Sequence, residues 1–151
     1  MHEFEILEQA VITALQPLKT GGGLKTLEVY AGQAEADDIE ELARMTAFFP
    51  CIYVVATGLI VEAKSRFDDE DIGVMLIVGD KNLRGIDAAR RGDINSPGVY
   101  DLLDQSRSLL HRKVITTGWP AMRLEKAVPL YLAPKKGICI YAAHYRIGMV
   151  K

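Results

Sequence analysis

The sequence predicts an α+β fold, one domain over residues 1–151 in which a mixed or antiparallel β-sheet packs against about three main α-helices. Three observations lead there. Apolar residues recur at helical spacing in three segments, beginning near Phe4, Ile39 and Val99. Continuous or β-rich apolar runs lie between and after those segments. No internal repeat, low-complexity tract or linker divides the 151 residues, and a composition of 49% hydrophobic and 25% charged residues suits one buried core.

In the first element Phe4, Leu7, Val11, Ala14, Leu15 and Leu18 share a face. Glu3, Glu5 and Glu8 complement the positive end of the helix, and Pro17 followed by Gly21-Gly22-Gly23 is expected to stop it. Leu24–Tyr30 reads as a strand from its β-branched and aromatic content. Asp37 and Asp38 then cap a second helix, with Asp38 and Glu41 spaced as a capping box and Ile39, Leu42, Ala43, Thr46 and Phe49 on one face before Pro50. Cys51–Thr57 is a strand covered on both faces, and Leu59–Lys64 is expected to return as its partner after Gly58. Ile72–Val78 is the next strand. Between the last two, Lys64–Asp71 is too charged to bury and is expected as a hairpin tip or exposed loop. The polar stretch Lys81–Asp93 connects onward, with room for a short helix. Ser96 and Pro97 then read as the cap and first residue of a strong helix whose stripe is Val99, Leu102, Leu103, Ser106, Leu109 and Leu110. The chain closes as an antiparallel hairpin, Leu124–Leu132 and Ile138–Val150 about the Pro134–Gly137 turn.

The charge balance narrows the function classes. Eighteen Lys and Arg against 20 Asp and Glu give a net charge of −2, which offers no general attraction to phosphate backbones or anionic lipid. Neither nucleic acid nor membrane is therefore expected as the main partner. No stretch approaches the roughly 18 apolar residues of a spanning helix, and the start Met1-His2-Glu3-Phe4 has no signal-peptide character. A reducing cytoplasm is the expected setting, with Cys51 and Cys139, both in apolar runs, as free buried thiols.

Catalytic signals are sparse. The cluster Asp68-Asp69-Glu70-Asp71 lacks calcium-loop spacing, since successive residues of an extended segment point to opposite sides. His2, His111 and His144 form no pair at metal-ligand spacing. A Cys–His pair using His144 would have to meet in space, and a structural role is the simpler reading. Gly21–Gly23 follow a helix, whereas a phosphate cradle needs its glycines before one. No cofactor, metal or enzymatic activity is expected. Arg84, Arg90 and Arg91, flanked by Lys81, form the main basic concentration and could meet phosphate, a neighbouring subunit's carboxylates, or water.

Several segments, taken in order, resemble Mu-like prophage tail proteins. They are Val29-Tyr30-Ala31-Gly32, Phe49-Pro50-Cys51-Ile52-Tyr53-Val54, Lys81-Asn82-Leu83-Arg84, Ala88-Ala89-Arg90-Arg91-Gly92, and Pro97-Gly98-Val99-Tyr100-Asp101-Leu102-Leu103. Cys51 departs from the pattern, which has a small residue such as alanine there. The resemblance implies a tail-terminator-like fold and a structural role as a tail terminator or completion protein. Such a protein closes into a ring of about six copies on the tail tube and joins tube to head-tail connector proteins. It implies assembly in the bacterial host cytoplasm and a final place in the virion tail. On that reading Arg84, Arg90 and Arg91 pair across a subunit boundary, while Arg66, Asp68, Asp69, Glu70 and Asp71 form a loop facing the tube or its lumen. An assembly adaptor or chaperone, and a small ligand-binding domain or enzyme without a visible motif, are the alternatives. Absence from purified virions would mark the first, and perturbed titration of His144 or Cys139 with a bound metabolite the second.

Overall fold

The computed structural model describes residues 2–30, 49–63, 68–82, 84–93 and 97–150. The elements are α1 (Glu3–Gly21), β1 (Thr26–Val29), β2 (Cys51–Ala63), β3 (Asp68–Lys81), α2 (Ile86–Arg91), α3 (Val99–Leu110), β4 (Arg123–Ala133) and β5 (Ile138–Val150). The five strands form one mixed sheet in the order β1-β2-β3-β5-β4. β1 runs parallel to β2, and the other three pairings are antiparallel. The expected α+β architecture is what the chain adopts. The helix expected from Asp38 lies, except for Phe49, outside the described residues.

α1 buries Leu7, Val11, Leu15 and Leu18, the face read from the 3.6-residue period. Pro17 lies inside it, and the glycine run ends it as expected. The helix carries on to Gly21, because Leu18 on the buried face anchors the last turn and its carbonyl accepts from the Gly22 and Leu24 amides at 3.0 and 3.1 Å. α1 and α3 lie on one face of the sheet. There they cover Ile52, Val54, Ile72, Val74, Leu76, Val78, Ala143, Tyr145 and Ile147 in the main core. A second cluster of Phe49, Cys51, Tyr53, Ile77, Ile138 and Ile140 belongs to the alternate residues and hence to the opposite face.

Three further expectations are corrected. Leu59–Lys64 is not the partner of Cys51–Thr57. Cys51–Thr57 and residues 59–63 both belong to β2, which passes Gly58 by a bulge between Ala56 and Gly58 and runs on to Ala63, while Lys64 lies outside the described residues. Gly58 takes φ +134 with open space where a Cβ would sit, so the glycine is needed for the backbone conformation and not for space. Asp68–Asp71 are not loop residues: they open β3 and pair with Ile60–Ala63 of β2, Ile60 facing Asp71 and Val61 facing Glu70. Their charges kept them out of a predicted strand, but backbone pairing with β2 and β5 holds them there, and the half-buried Asp71 is met by Arg146 at 3.3 Å. Arg66 lies outside the described residues. Finally, the cap of α3 is Gly98, at φ +79, with no side-chain cap bond, so Pro97 precedes the helix. The C-terminal hairpin forms as expected, with register shifts in β4 at Leu124/Lys126 and Pro129/Tyr131.

Candidate assembly surfaces

Polar and exposed apolar side chains collect at the two ends of the long strand β3, whose 14 residues span roughly 45 Å at about 3.3 Å per residue.

The Lys81 end is organised by a buried carboxylate. Asp80, 1% exposed, accepts from the Lys81 amide at 2.7 Å and from the Gly98 amide at 3.1 Å, tying the end of β3 to the start of α3. Asn82 continues the arrangement. Its amide donates to the Gly137 carbonyl at 2.9 Å, its Nδ2 to Asp93 at 2.8 Å, and its Oδ1 accepts from the Arg84 amide at 2.9 Å. Gly98 sits so close to the Arg91 and Gly92 backbone, and Gly137 to the Asn82 carbonyl, that neither position has room for a Cβ. These contacts hold α2 as a rigid shelf, with Ala89 buried beneath it and Gly92 closing it on the Ala88 carbonyl at 2.8 Å.

The shelf sorts the three arginines. Arg84 has its side chain 69% exposed, with Nε 4.0 Å from Asp93. Arg91 is exposed on the last turn of α2. Arg90 differs: its side chain is 30% exposed, lies 3.9 Å from Asp87, and sits close enough to Cys139 of β5 to act on that thiol. Burial outweighs that arginine and pushes the Cys139 thiol up to about 11. Arg84 and Arg91 thus face outward, while Arg90 lies half-buried beside β5. Beside them the Tyr100 and Tyr141 rings meet edge to face at 5.8 Å with their hydroxyls 3.5 Å apart. That hydrogen bond, with burial second, raises Tyr141 to about 12. Tyr100 is 39% exposed, and so is Leu132, at 36%, across from Cys139 in the register.

The Asp68 end has the opposite character. Leu59, Ile60 and Val61 are 41, 50 and 51% exposed, consecutive apolar residues on both faces of one strand. Opposite them on β3 run Ile72, Asp71 and Glu70. Arg146 of β5 braces this end, with Nη1 3.3 Å from Asp71 and Nε 3.0 Å from Glu125 of β4.

A polar cavity of about 280 Å³ lies beside it, lined by Thr57, Ile60, Glu125, Lys126, His144 and Arg146 among others. Burial first and Lys126 second hold His144 below its ordinary pKa, while Glu125 opposes them. The His144–Cys139 pairing considered from the sequence is not supported geometrically. In β5 His144 pairs with Met75 and Cys139 with Asp80, and alternation puts the two side chains on opposite faces. Cys51 and Cys139 are free and buried, and burial pushes Cys51 to about 12. Among the described residues no three His, Cys, Asp or Glu side chains gather as a metal site, and no helix is long and apolar enough to cross a membrane.

Asp80, Asn82, Tyr100 and Leu132 escaped the sequence reading as site residues. The one available signal was a carboxylate ending an apolar run at Gly79-Asp80, where burial next to glycine-rich connections was a foreseeable outcome.

Among the described residues the fold is thus a small α+β body whose distinctive surface chemistry sits at two sheet ends. The chain belongs to the family described as Bacteriophage Mu, Gp37, which matches residues 4–149, and it is a Mu-like phage tail-related protein. Among solved structures, a chain from the "Virion of native gene transfer agent (GTA) particle" shares its fold, with a TM-score of 0.55, 12% identity, and coverage of 96% of this chain and 95% of that one. No curated protein matches it.

Proposed function

We propose that this protein is a structural component of a phage tail, a terminator or completion protein that closes into a ring of about six copies on the end of the tail tube. The family match over residues 4–149 carries this reading. The shared fold with a chain of a virion particle supports it, as do the exposed arginines on a braced shelf and the apolar tip at the far end of β3. The role is architectural. A rigid sheet provides the body, and heterologous edges provide closure around an axis. Assembly would take place in the bacterial host cytoplasm, and the partners would be the tube protein below and the connector proteins above.

A protein that ends tube growth has a consequence that can be seen in particles. Deleting its gene from a phage that carries it should leave tubes of uncontrolled length without attached heads, visible by negative-stain microscopy, and the intact gene supplied in trans should restore a narrow length distribution. Antibody labelling should fall at one end of wild-type tails. Tails of normal length and attachment in the deletion would refute the terminator role. Restoration with no label on finished particles would mark an assembly adaptor.

A further inference from the structure

We propose that the Asp68 end of one copy docks on the Lys81 end of a second copy, so that the β2–β3 tip bearing Leu59, Ile60 and Val61 seats against Arg84, Arg91, Tyr100 and Leu132 of its neighbour. This inference rests on the ring reading above and names the surfaces that make the ring. It replaces the tube- or lumen-facing role that the acidic segment suggested when it was read as a loop.

Two observations select a second copy as the occupant. The first is charge. Residues 59–72 carry five acidic and two basic residues, with the Arg146–Glu125 ion pair beside them, whereas residues 80–93 with the 134–137 turn carry six basic and three acidic ones. β3 itself begins Asp-Asp-Glu-Asp and ends in Lys81, so the two signs are separated along one rigid strand. The second is apolar surface. Of the six large hydrophobic residues exposed among those described, three form the tip and two, Tyr100 and Leu132, lie at the basic end. Each end therefore presents an apolar centre with charge around it, of opposite sign in the two cases, the composition of a specific interface with a polar rim.

The two ends differ, so the contact is heterologous: each copy has one donor end and one acceptor end, and repetition yields a ring if the rotation closes. A tip-to-tip contact would instead bring like charges together.

The test uses two variants of the full chain. One disables the tip (Ile60→Asp with Val61→Asp), the other the shelf (Arg84→Glu with Arg91→Glu). All four positions are exposed, and circular dichroism melting verifies that each variant is folded. The wild type should exceed monomer mass in light scattering across a concentration series, and each variant alone should associate about tenfold or more weakly. Mixed one to one, they should form a heterodimer and nothing larger, because each retains one working end. Shelf variants that still dimerise alone would show a tip-to-tip contact, and tip variants that still assemble would show that the tip is not used. Either result overturns the proposal, as does a mixture that stays monomeric or a wild type that never associates. Failure here, with the protein still labelling the tail end, would reject this pair of surfaces and leave the tail role standing. A tail-length phenotype that is missing while the heterodimer forms would do the reverse.

Discussion

At the scale of single residues, burial decides what the titratable groups can do. The thiolate is the reactive form of cysteine, and with thiols raised to about 12 and about 11, Cys51 and Cys139 hold almost none of it at pH 8. Neither thiol should react with Ellman's reagent in the folded protein within an hour, and both should react at once in guanidinium. Prompt labelling of one in native buffer would show that its strand opens far more readily than its burial indicates. The histidines give a second expectation. Nδ1 of His111 accepts from the Leu124 amide at 2.8 Å, a bond that protonation at that nitrogen abolishes. His111 and His144 are both held below 6.5, each chiefly by burial, then by Arg107 and Arg112 beside His111 and by Lys126 beside His144. The unfolded chain therefore takes up protons first as the pH falls. The stability from the neutral rings is complete above about 6.5, declines below that, and levels off beneath the folded-state values. Urea midpoints measured from pH 8 to 5 should drop through that window. His111→Gln, which keeps an acceptor but does not titrate, should flatten part of the slope, and an unchanged slope would remove His111 from the account.

At the scale of elements, the connection between β3 and α3 depends on glycine. Gly98 combines φ +79 with backbone contact from Arg91 and Gly92, so Gly98→Ala adds both strain and a clash. The expected cost is about 2–4 kcal/mol by chemical denaturation. Gly58→Ala meets only the strain, since its surroundings are open, and should cost about 1–2 kcal/mol. Equal costs would show that the contact at Gly98 relaxes freely. These positions also explain what the sequence could convey. The stripe of α1 and the continuous runs of β2, β3 and β5 were legible because burial imposes a period on the residue types. Punctuation was not. Gly58 looks like a stop, yet the sheet pairing carries the strand past it, and nothing local records that tertiary support. Asp68–Asp71 misled for the related reason that charge suggests a loop, whereas the strand pairing and the Arg146 ion pair to Asp71 come from residues far away in the sequence. The arginine segment was legible as a basic cluster. The half-buried place of Arg90 beside Cys139 was not, because Cys139 is far away in the sequence.

At the scale of the whole molecule, stability and assembly should be separable by position. Leu7, Val11 and Leu15 of α1 are fully buried against the sheet and α3, so Leu15→Ala should cost about 2–5 kcal/mol through lost transfer energy and a residual cavity. That is a large share of the roughly 5–15 kcal/mol that holds a domain together. Leu59, Ile60 and Val61 keep about half of their surface in water while flanking the fully buried Ile72, so an isolated copy gains little from their apolar character. Replacing all three with threonine preserves strand propensity and removes apolar surface of which the monomer already leaves about half in water. Its monomer stability should stay within about 1 kcal/mol of wild type. Chemical denaturation at low micromolar concentration, compared for this variant, Leu15→Ala and wild type, makes the measurement. A threonine variant as damaged as Leu15→Ala would mean that the tip belongs to the core of its own chain. One of near-native stability would mean that these residues are kept apolar for a surface that the single copy does not contain.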